Sequence, residues 1–183
     1  SAQQPIFNED EQYVLVFNGE IFNYKELREE LIAKGHTFKS NGDSEVIIHL
    51  YEEEKENLVN RLRGMFAFAI YDKKKDELFI ARDHFGIKPL YYTTQIDAFY
   101  FASEMKALNN NGTSNLSLNE EAVKSHLSFL WCPFPSTIAA DVFKLEPGTF
   151  IKVKNGRIFE KVNYYDIDYN GERLDISIDD AID

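Results

Sequence analysis

One junction, where an apolar run meets a helix-like segment, constrains the fold of this chain more than any other feature. Residues 13–17 are apolar, Asn18-Gly19-Glu20 follows them directly, and apolar residues then recur at helical spacing. Asn-Gly between apolar residues is typical of a hairpin turn, because both residues tolerate a positive φ. The helical spacing excludes the returning strand that a hairpin needs. We therefore expect a strand over 13–18 and a helix over about 24–34, with Asn23 as its N-cap.

The Asn18-Gly19-Glu20 segment places an amide, a glycine and a carboxylate side by side at the predicted strand end. We expect the Asn18 side-chain amide and the Gly19 backbone N–H to point in one direction, as donors that stabilise a developing oxyanion. Asp43 opens a second predicted helix. If the start of that helix converges with the strand end, Asp43 and Glu20 would form an anionic pocket suited to an ammonium group. Two alternatives stay open: Asp43 as a helix cap and Glu20 as a solvent-facing residue at a strand end.

Composition excludes several classes of protein. The 183 residues favour a single domain, and the formal net charge of -11 argues against a surface for nucleic acid. No apolar run approaches the roughly 20 residues of a membrane-spanning helix, and no signal segment is evident. The single cysteine excludes an intramolecular disulfide framework. We therefore expect a soluble, cytoplasmic protein.

Metal and nucleotide sites have no sequence signature here. His36, His49, His84 and His126 are isolated, without paired spacing on one helix face, and there is no cysteine pair. The chain also has no glycine-rich phosphate loop. Cys132 has no neighbouring His or Lys to activate its thiol, so we interpret it as a small buried residue. We expect no metal and no cofactor in this chain.

The remaining pattern predicts mostly strands. We expect strands near 36–40, 65–71, 78–81, 89–94 and 98–102, helices from 43 or 44 and over 105–108 and 119–130, and a hairpin of 150–154 with 157–159 around Asn155-Gly156. The charged loop 82–88 joins two buried-looking strands, a position where functional residues often lie. The alternative is a surface connection with a local interaction between Arg82 and Asp83. The polar loop 109–115 is expected to be mobile.

Five segments in order carry a resemblance to a known family. They are VFNGEIFNY (16–24), GDSEVI (42–47), RGMFAFA (63–69), ARD with GIKPLYY (81–83 and 86–92) and ASE (102–104), and KLEPG (144–148) extends the match. Together they closely resemble the glutaminase domain of glutamine-dependent asparagine synthetases, over nearly the whole chain to about Tyr165. The resemblance gives no catalytic role to Arg82, Lys88, Ser103 or Glu104.

The resemblance implies an α+β fold of the N-terminal-nucleophile hydrolase type, with two stacked antiparallel sheets between helical layers. It implies a partial type 2 glutamine amidotransferase domain over 1–165, with 166–183 as a linker or the start of a synthetase domain. In that family an N-terminal cysteine attacks the glutamine side-chain amide, and the ammonia passes to a synthetase domain that activates aspartate with ATP and Mg²⁺. By residue, Asn18 and Gly19 would form the oxyanion hole, and Glu20 and Asp43 would bind the glutamine α-amino group.

One departure from the family pattern affects the expected activity. The nucleophilic cysteine and an Arg-Gly-Pro-Asp segment that precede Asn-Gly-Glu in the family have no counterpart here. We therefore expect a fold incomplete at the N-terminus and inactive alone, with glutamine and the synthetase domain of a longer parent protein as partners. An exposed sheet edge or apolar face predicts self-association. Two alternatives remain: a parent with another acceptor, such as a polysaccharide or secondary metabolite, and a non-catalytic interaction module.

Overall fold

The computed structural model describes residues 3–95, 98–109 and 117–167. These residues form two antiparallel sheets and four α-helices. The strands are β1 (Ile6–Phe7), β2 (Tyr13–Ile21), β3 (Gly64–Asp72), β4 (Glu77–Arg82), β5 (Tyr91–Gln95), β6 (Ala98–Ala102), β7 (Phe143–Lys144), β8 (Thr149–Lys154) and β9 (Arg157–Asn163). The helices are α1 (Tyr24–Ala33), α2 (Glu45–Glu54), α3 (Met105–Asn109) and α4 (Glu120–Phe129), and a 3-10 helix (Lys55–Asn60) follows α2.

The two sheets pack face to face. One has the strand order β1-β2-β3-β4-β8-β9 and the other has the order β6-β5-β7. Ala67 and Ala69 of β3 lie in the core between the sheets, where their small side chains leave room for aromatic residues of the second sheet. Those aromatic residues include Tyr92, Phe99 and Phe101. Successive strand residues face opposite sides of a sheet, so Phe66, Phe68 and Ile70 of β3 face away from the second sheet.

Helices cover the outer faces of both sheets. Phe66, Phe68 and Ile70 of β3 pack with apolar residues of α1 and α2, such as Leu31 and Ile47. On the far side of the second sheet, a smaller cluster joins α3 to β5 and β6 through Leu108, Tyr91 and Tyr100. The order of layers is helix, sheet, sheet, helix, which confirms the predicted α+β architecture.

Strand β2 is longer than the sequence indicated. β2 was expected to end at Asn18, but it pairs with β3 as far as Ile21. Asn18-Gly19-Glu20 therefore lies inside a paired strand rather than after it. The two backbones approach closely at Gly19, where an added Cβ would lie 2.1 Å from the Met65 carbonyl oxygen. Glycine is thus required by the pairing itself, a constraint that single-sequence patterning does not reveal.

Two local predictions on either side of α1 are corrected, the first in full and the second in part. Residues 36–40 form no strand, because the N–H groups of Lys39 and Ser40 donate to the Glu45 carboxylate at 2.7 and 2.8 Å. Asn23 occupies the N-cap position of α1 but makes no capping hydrogen bond. Its side chain instead donates to Arg61 O and accepts from Arg63 N–H, both at 2.9 Å. It fixes the chain entering β3.

The later elements agree closely with the sequence. The β8–β9 hairpin turns through Asn155 and Gly156, with φ of 51° and 71°, as expected for a two-residue turn. Strands β3 to β6 and helices α2 to α4 are also close to their predicted positions. The predicted mobile loop falls mostly on residues 110–116, and most of the predicted linker on 168–183, which lie outside the described residues. Within the described ranges, no helix is long and apolar enough to cross a membrane.

Candidate active site

The start of α2 meets the end of β2, which is the condition on which the anionic pocket depends. Asp43 Oδ2 accepts a hydrogen bond of 2.8 Å from the backbone N–H of Ile21. Asp43 is therefore not a helix cap: Ser44 holds the N-cap position of α2, and no side-chain capping bond forms there. Glu20 is exposed and directly precedes Ile21. The two predicted carboxylates thus lie on adjacent segments at one edge of the sheet.

The same edge of β2 exposes the backbone N–H of Gly19. Alternate residues of a strand direct their N–H groups to the same edge. Phe17 N–H leaves the sheet to meet Gln4 Oε1 at 2.7 Å, and Ile21 N–H meets Asp43. Gly19 lies midway, so its N–H points to the edge between these two acceptors. The amide of Gln4 also donates to Phe17 O at 2.7 Å. The Gln4 side chain thus bonds the edge of β2 as a neighbouring strand would, a contact that the sequence did not indicate.

The Asn18 side chain lies on the face of β2 directed toward the second sheet. Its Nδ2 donates to Ser103 Oγ at 3.3 Å, which links β2 to the end of β6. A cleft of about 250 Å³ opens here between the two sheets. Its lining combines few polar groups with many apolar ones, and includes Gln4, Val16, Asn18, Ala67, Leu90, Phe101 and Ser103. This gives Ser103 a contact that its sequence position did not predict.

The only cysteine of the chain is not part of this cleft. Cys132 is buried, and its Sγ donates to the Ala122 carbonyl oxygen of α4 at 3.3 Å. The thiol thus packs as a small buried group, as expected. Asn18, Gly19, Glu20 and Asp43 therefore share one region of the molecule without a thiol among its described residues. The arrangement offers hydrogen-bond donors and carboxylates for a polar ligand.

The loop after β4 is a surface connection with exposed Phe85 and Ile87, but it is anchored by two buried charged side chains, Arg82 and Asp83. Asp83 is fully buried, and its carboxylate accepts hydrogen bonds of 2.9–3.1 Å from the backbone N–H groups of Phe66, Phe85, Ile87 and Lys88. Arg82 donates to the carbonyl oxygens of Gly86, Lys88 and Leu145 at 2.5–2.7 Å. Burial lowers the pKa of the Arg82 guanidinium. Both side chains hold backbone in place, and the sequence signal was a charged pair directly after an apolar strand.

A second polar cluster lies elsewhere, near the other end of α2. The expectation that the histidines are isolated is wrong for His36 and His49, whose ring centroids are 4.7 Å apart. Glu9 and Glu52 join them, and one potential ligand atom from each of the four lies within 4.8 Å of the others. The long-range packing of three chain segments creates this cluster, so no local spacing could have indicated it.

The two stacked antiparallel sheets between helical layers form a fold of the N-terminal-nucleophile hydrolase type. The chain belongs to the glutamine amidotransferase domain family, whose sequence profile matches residues 1–165. A solved structure of glutamine phosphoribosylpyrophosphate amidotransferase from B. subtilis matches with a TM-score of 0.62 and 20% identity. The match covers 91% of this chain and 32% of the B. subtilis chain. At this sequence identity the likeness shows the fold alone.

Curated relatives are glutamine-hydrolysing asparagine synthetases. Asparagine synthetase (glutamine-hydrolyzing) 1 of Bacillus subtilis (strain 168) is 45% identical over 98% of this chain and 29% of that protein. A putative asparagine synthetase (glutamine-hydrolyzing) 1 of Methanocaldococcus jannaschii is 58% identical over 57% of this chain and 19% of that protein. The chain thus spans less than a third of the length of these relatives.

Proposed function

We propose that this chain forms the substrate-binding side of a glutaminase site, within a longer protein that transfers glutamine-derived ammonia to aspartate. The observation that carries the proposal is the 2.8 Å hydrogen bond between Ile21 N–H and Asp43 Oδ2. It holds Asp43 beside the strand that bears Glu20, and we assign both carboxylates to one pocket at this end of β2. Paired carboxylates bind an ammonium group through charge-assisted hydrogen bonds, and glutamine carries such a group at its α-carbon.

The oxyanion donors follow from the same strand. The Gly19 N–H points to the open edge of β2, and the Asn18 amide lies 3.3 Å from Ser103 on the adjacent face. We assign both groups to the oxygen that becomes negatively charged when the glutamine amide is attacked. Donors fixed by a paired strand need no reorganisation during the reaction, which is the source of their catalytic effect.

The attacking nucleophile is assigned to a segment of the longer protein outside this chain. Two features support a place for that segment beside β6. Within the described residues, β6 pairs with a strand on one side only, and the cleft of about 250 Å³ lies between its end and β2. A strand entering there would complete the sheet edge and bring its end close to Asn18. The chain alone is therefore proposed to bind glutamine without hydrolysing it.

The acceptor chemistry is assigned to a synthetase domain. The relatives' names include asparagine synthetase, which supports aspartate as the acceptor of the ammonia. ATP and Mg²⁺ would act in that domain, because the present sequence has no phosphate-binding loop. An acceptor of another class, such as a polysaccharide, would leave the glutaminase assignment intact. Product analysis of the longer protein with aspartate and with other acceptors distinguishes the two.

An apolar surface at the end of α4 is proposed as the contact for that domain. Five large side chains there are at least 40% exposed: Leu127, Phe129, Leu130, Trp131 and Phe134. Contiguous exposed apolar groups of this size mark interaction surfaces. In the chain alone, the same surface would support self-association.

Binding measurements with two ligands test the glutamine assignment. L-Glutamine is expected to shift amide resonances near Gly19 and Asp43 in NMR titrations of the chain. N-acetyl-L-glutamine, which lacks the ammonium group, is expected to shift them far less. Incubation with glutamine should release no ammonia above the buffer rate. Turnover like that of a complete glutaminase would contradict the proposed inactivity, and no shifts with either ligand would favour a non-catalytic interaction module.

A further inference from the structure

We propose that Glu9, His36, His49 and Glu52 form a binding site for one Zn²⁺ ion, separate from the glutamine site. The four residues come from three segments of the chain. Glu9 lies between β1 and β2, and His36 lies in the connection from α1 to α2. His49 and Glu52 are three residues apart on α2, so their side chains lie on one face of the helix. One ligand atom of each residue lies within 4.8 Å of the others.

The distances between the potential ligand atoms match a tetrahedral site. Zn–N and Zn–O bonds of about 2.0–2.2 Å place tetrahedral ligand atoms roughly 3.3 Å apart. His49 Nδ1 lies 3.3 Å from Glu9 Oε2 and 3.1 Å from Glu52 Oε2. His36 Nδ1 lies 3.3 Å from Glu9 Oε1 and 3.7 Å from Glu52 Oε2. The three separations that involve the Oε2 atoms, 3.1, 3.3 and 3.7 Å, fall near the expected value, and the fourth involves the other oxygen of Glu9.

Hydrogen bonds account for only part of this arrangement: His36 Nδ1 pairs with Glu9 Oε1 at 3.3 Å and His49 Nδ1 with Glu52 Oε2 at 3.1 Å. Each Nδ1 faces oxygens from two different carboxylates, but an imidazole nitrogen carries one proton at most. His49 is also 1% exposed, and its Nε2, on the side away from the cluster, lies 3.8 Å from Glu45 Oε1, the carboxylate that would orient the ring. A cation at the centre would satisfy both Nδ1 atoms and both carboxylates together. A buried imidazole directed at two carboxylates is what a metal ligand requires.

Groups around the cluster hold the ligands in position. Glu53 Oε1 lies 3.3 Å from His36 Nε2, an arrangement that fixes the tautomer and orientation of a metal-binding imidazole. Asn8 Nδ2 donates to Glu52 Oε1 at 2.7 Å, and Thr37 N–H donates to Glu9 Oε1 at 3.0 Å. These contacts leave Oε2 of Glu9 and of Glu52 directed at the histidines. Metal sites that bind well have such an outer set of hydrogen bonds.

The two imidazoles and two carboxylates favour Zn²⁺ over Mg²⁺, Ca²⁺ and Cu⁺. Two imidazole nitrogens and two carboxylate oxygens suit Zn²⁺, whereas Mg²⁺ and Ca²⁺ take oxygen ligands and Cu⁺ takes sulfur. Four protein ligands would close the coordination shell, which is typical of a structural site rather than a catalytic one. The ion would tie the β1–β2 connection and the α1–α2 connection to α2. It would thereby stabilise the helix whose start carries Asp43.

Zinc titration of the metal-stripped chain tests this site. Isothermal titration calorimetry should show saturable binding of a single Zn²⁺ per chain. The thermal unfolding midpoint should rise with Zn²⁺, because an ion that binds only the folded state stabilises it. Mg²⁺ at the same concentration should leave the midpoint unchanged. No saturable heat with Zn²⁺ would overturn the proposal.

Matched variants locate the ion. His36→Asn and Glu52→Gln remove direct ligands, and each should weaken Zn²⁺ binding by more than about tenfold, the lower limit seen for outer-shell changes. His126→Asn is the control, because His126 is an exposed histidine on α4, away from the cluster. Circular dichroism confirms first that each variant is folded. Equal affinities in His36→Asn, Glu52→Gln and the unmodified chain would show that the ion binds elsewhere.

Cobalt provides a readout of the coordination geometry. Co²⁺ in a tetrahedral site of nitrogen and oxygen ligands gives much more intense visible absorption than the hexa-aqua ion. The chain should show these bands, the His126→Asn variant should retain them, and the His36→Asn variant should lose them. Absorption like that of free Co²⁺ in the unmodified chain would contradict a four-ligand site.

Discussion

The Asp43 carboxylate accepts the backbone N–H of Ile21 at 2.8 Å and so joins the start of α2 to the end of β2. Asp43→Asn keeps an oxygen able to accept this bond but removes the charge. In the longer protein, glutamine-dependent synthesis at low glutamine should fall by roughly 10–100-fold, because a hydrogen bond to a charged group contributes about 1.5–3 kcal/mol. Synthesis from added ammonia should be unchanged. An equal loss with both nitrogen sources would contradict a glutamine-binding role.

Gly19 is expected to tolerate no side chain. An added Cβ would lie 2.1 Å from Met65 O and 2.8 Å from the Phe66 Cα, so Gly19→Ala must push β2 away from β3. We expect a loss of about 1–3 kcal/mol in the free energy of unfolding, the usual range for overpacking. Gly42→Ala is the control, since its nearest atoms lie at 3.7 and 3.8 Å. Urea denaturation measures both, and equal stability of the two variants would refute the steric explanation.

The buried Asp83 carboxylate should be essential for stability rather than for glutamine chemistry. It accepts four backbone N–H groups at 2.9–3.1 Å. Asp83→Asn replaces one acceptor oxygen by an NH₂ group facing those donors, and should cost about 3 kcal/mol or more in unfolding free energy. The exposed Asp76→Asn variant is the matched control. If Asp83→Asn unfolds at the same urea concentration as the control, the four bonds contribute little.

Sequence patterning predicted the features that depend on neighbours within one element. Continuous apolar runs located β3 and β4, alternation located β8, and turn chemistry located the hairpin at Asn155-Gly156. The spacing after residue 24 located α1. These signals depend on residues close in sequence, so they can be recognised without knowledge of the tertiary packing.

The errors occurred where side chains bond to distant backbone or to one another. Gln4 binds Phe17 across 13 residues, and Asn23 binds Arg61 and Arg63 rather than its own helix. His36 and His49 meet only because the α1–α2 connection folds back on α2. Periodicity reports which face of an element is apolar, but it carries no information about which polar groups the tertiary structure brings together.

His84 should make stability depend on pH near neutrality. Burial lowers the pKa of His84 below its ordinary value of 6.5, where its ring packs edge-on to Tyr164 and Tyr165. The unfolded chain then binds the proton more readily than the folded one. The contribution of neutral His84 to the free energy of unfolding is therefore fully present above about pH 6.5 and declines as the pH falls below that value. His84→Gln should show a smaller decline than the unmodified chain in urea midpoints between about pH 8 and 5. The exposed His126→Gln variant should retain the full decline, and identical slopes in all three proteins would refute this contribution.

Leu130 combines two unfavourable features, and replacing it should separate association from folding. It ends α4 with φ of 60°, a left-handed conformation that favours glycine, and its side chain is 83% exposed. Leu130→Gly should therefore leave the free energy of unfolding unchanged or raise it by up to about 1 kcal/mol. If the α4 surface drives self-association, light scattering should show a lower average mass for this variant at every protein concentration. Ile32→Gln on α1, where Ile32 is 51% exposed, should associate like the unmodified chain. Equal association of Leu130→Gly and the unmodified chain, or a monomeric unmodified chain, would contradict the assignment of this surface.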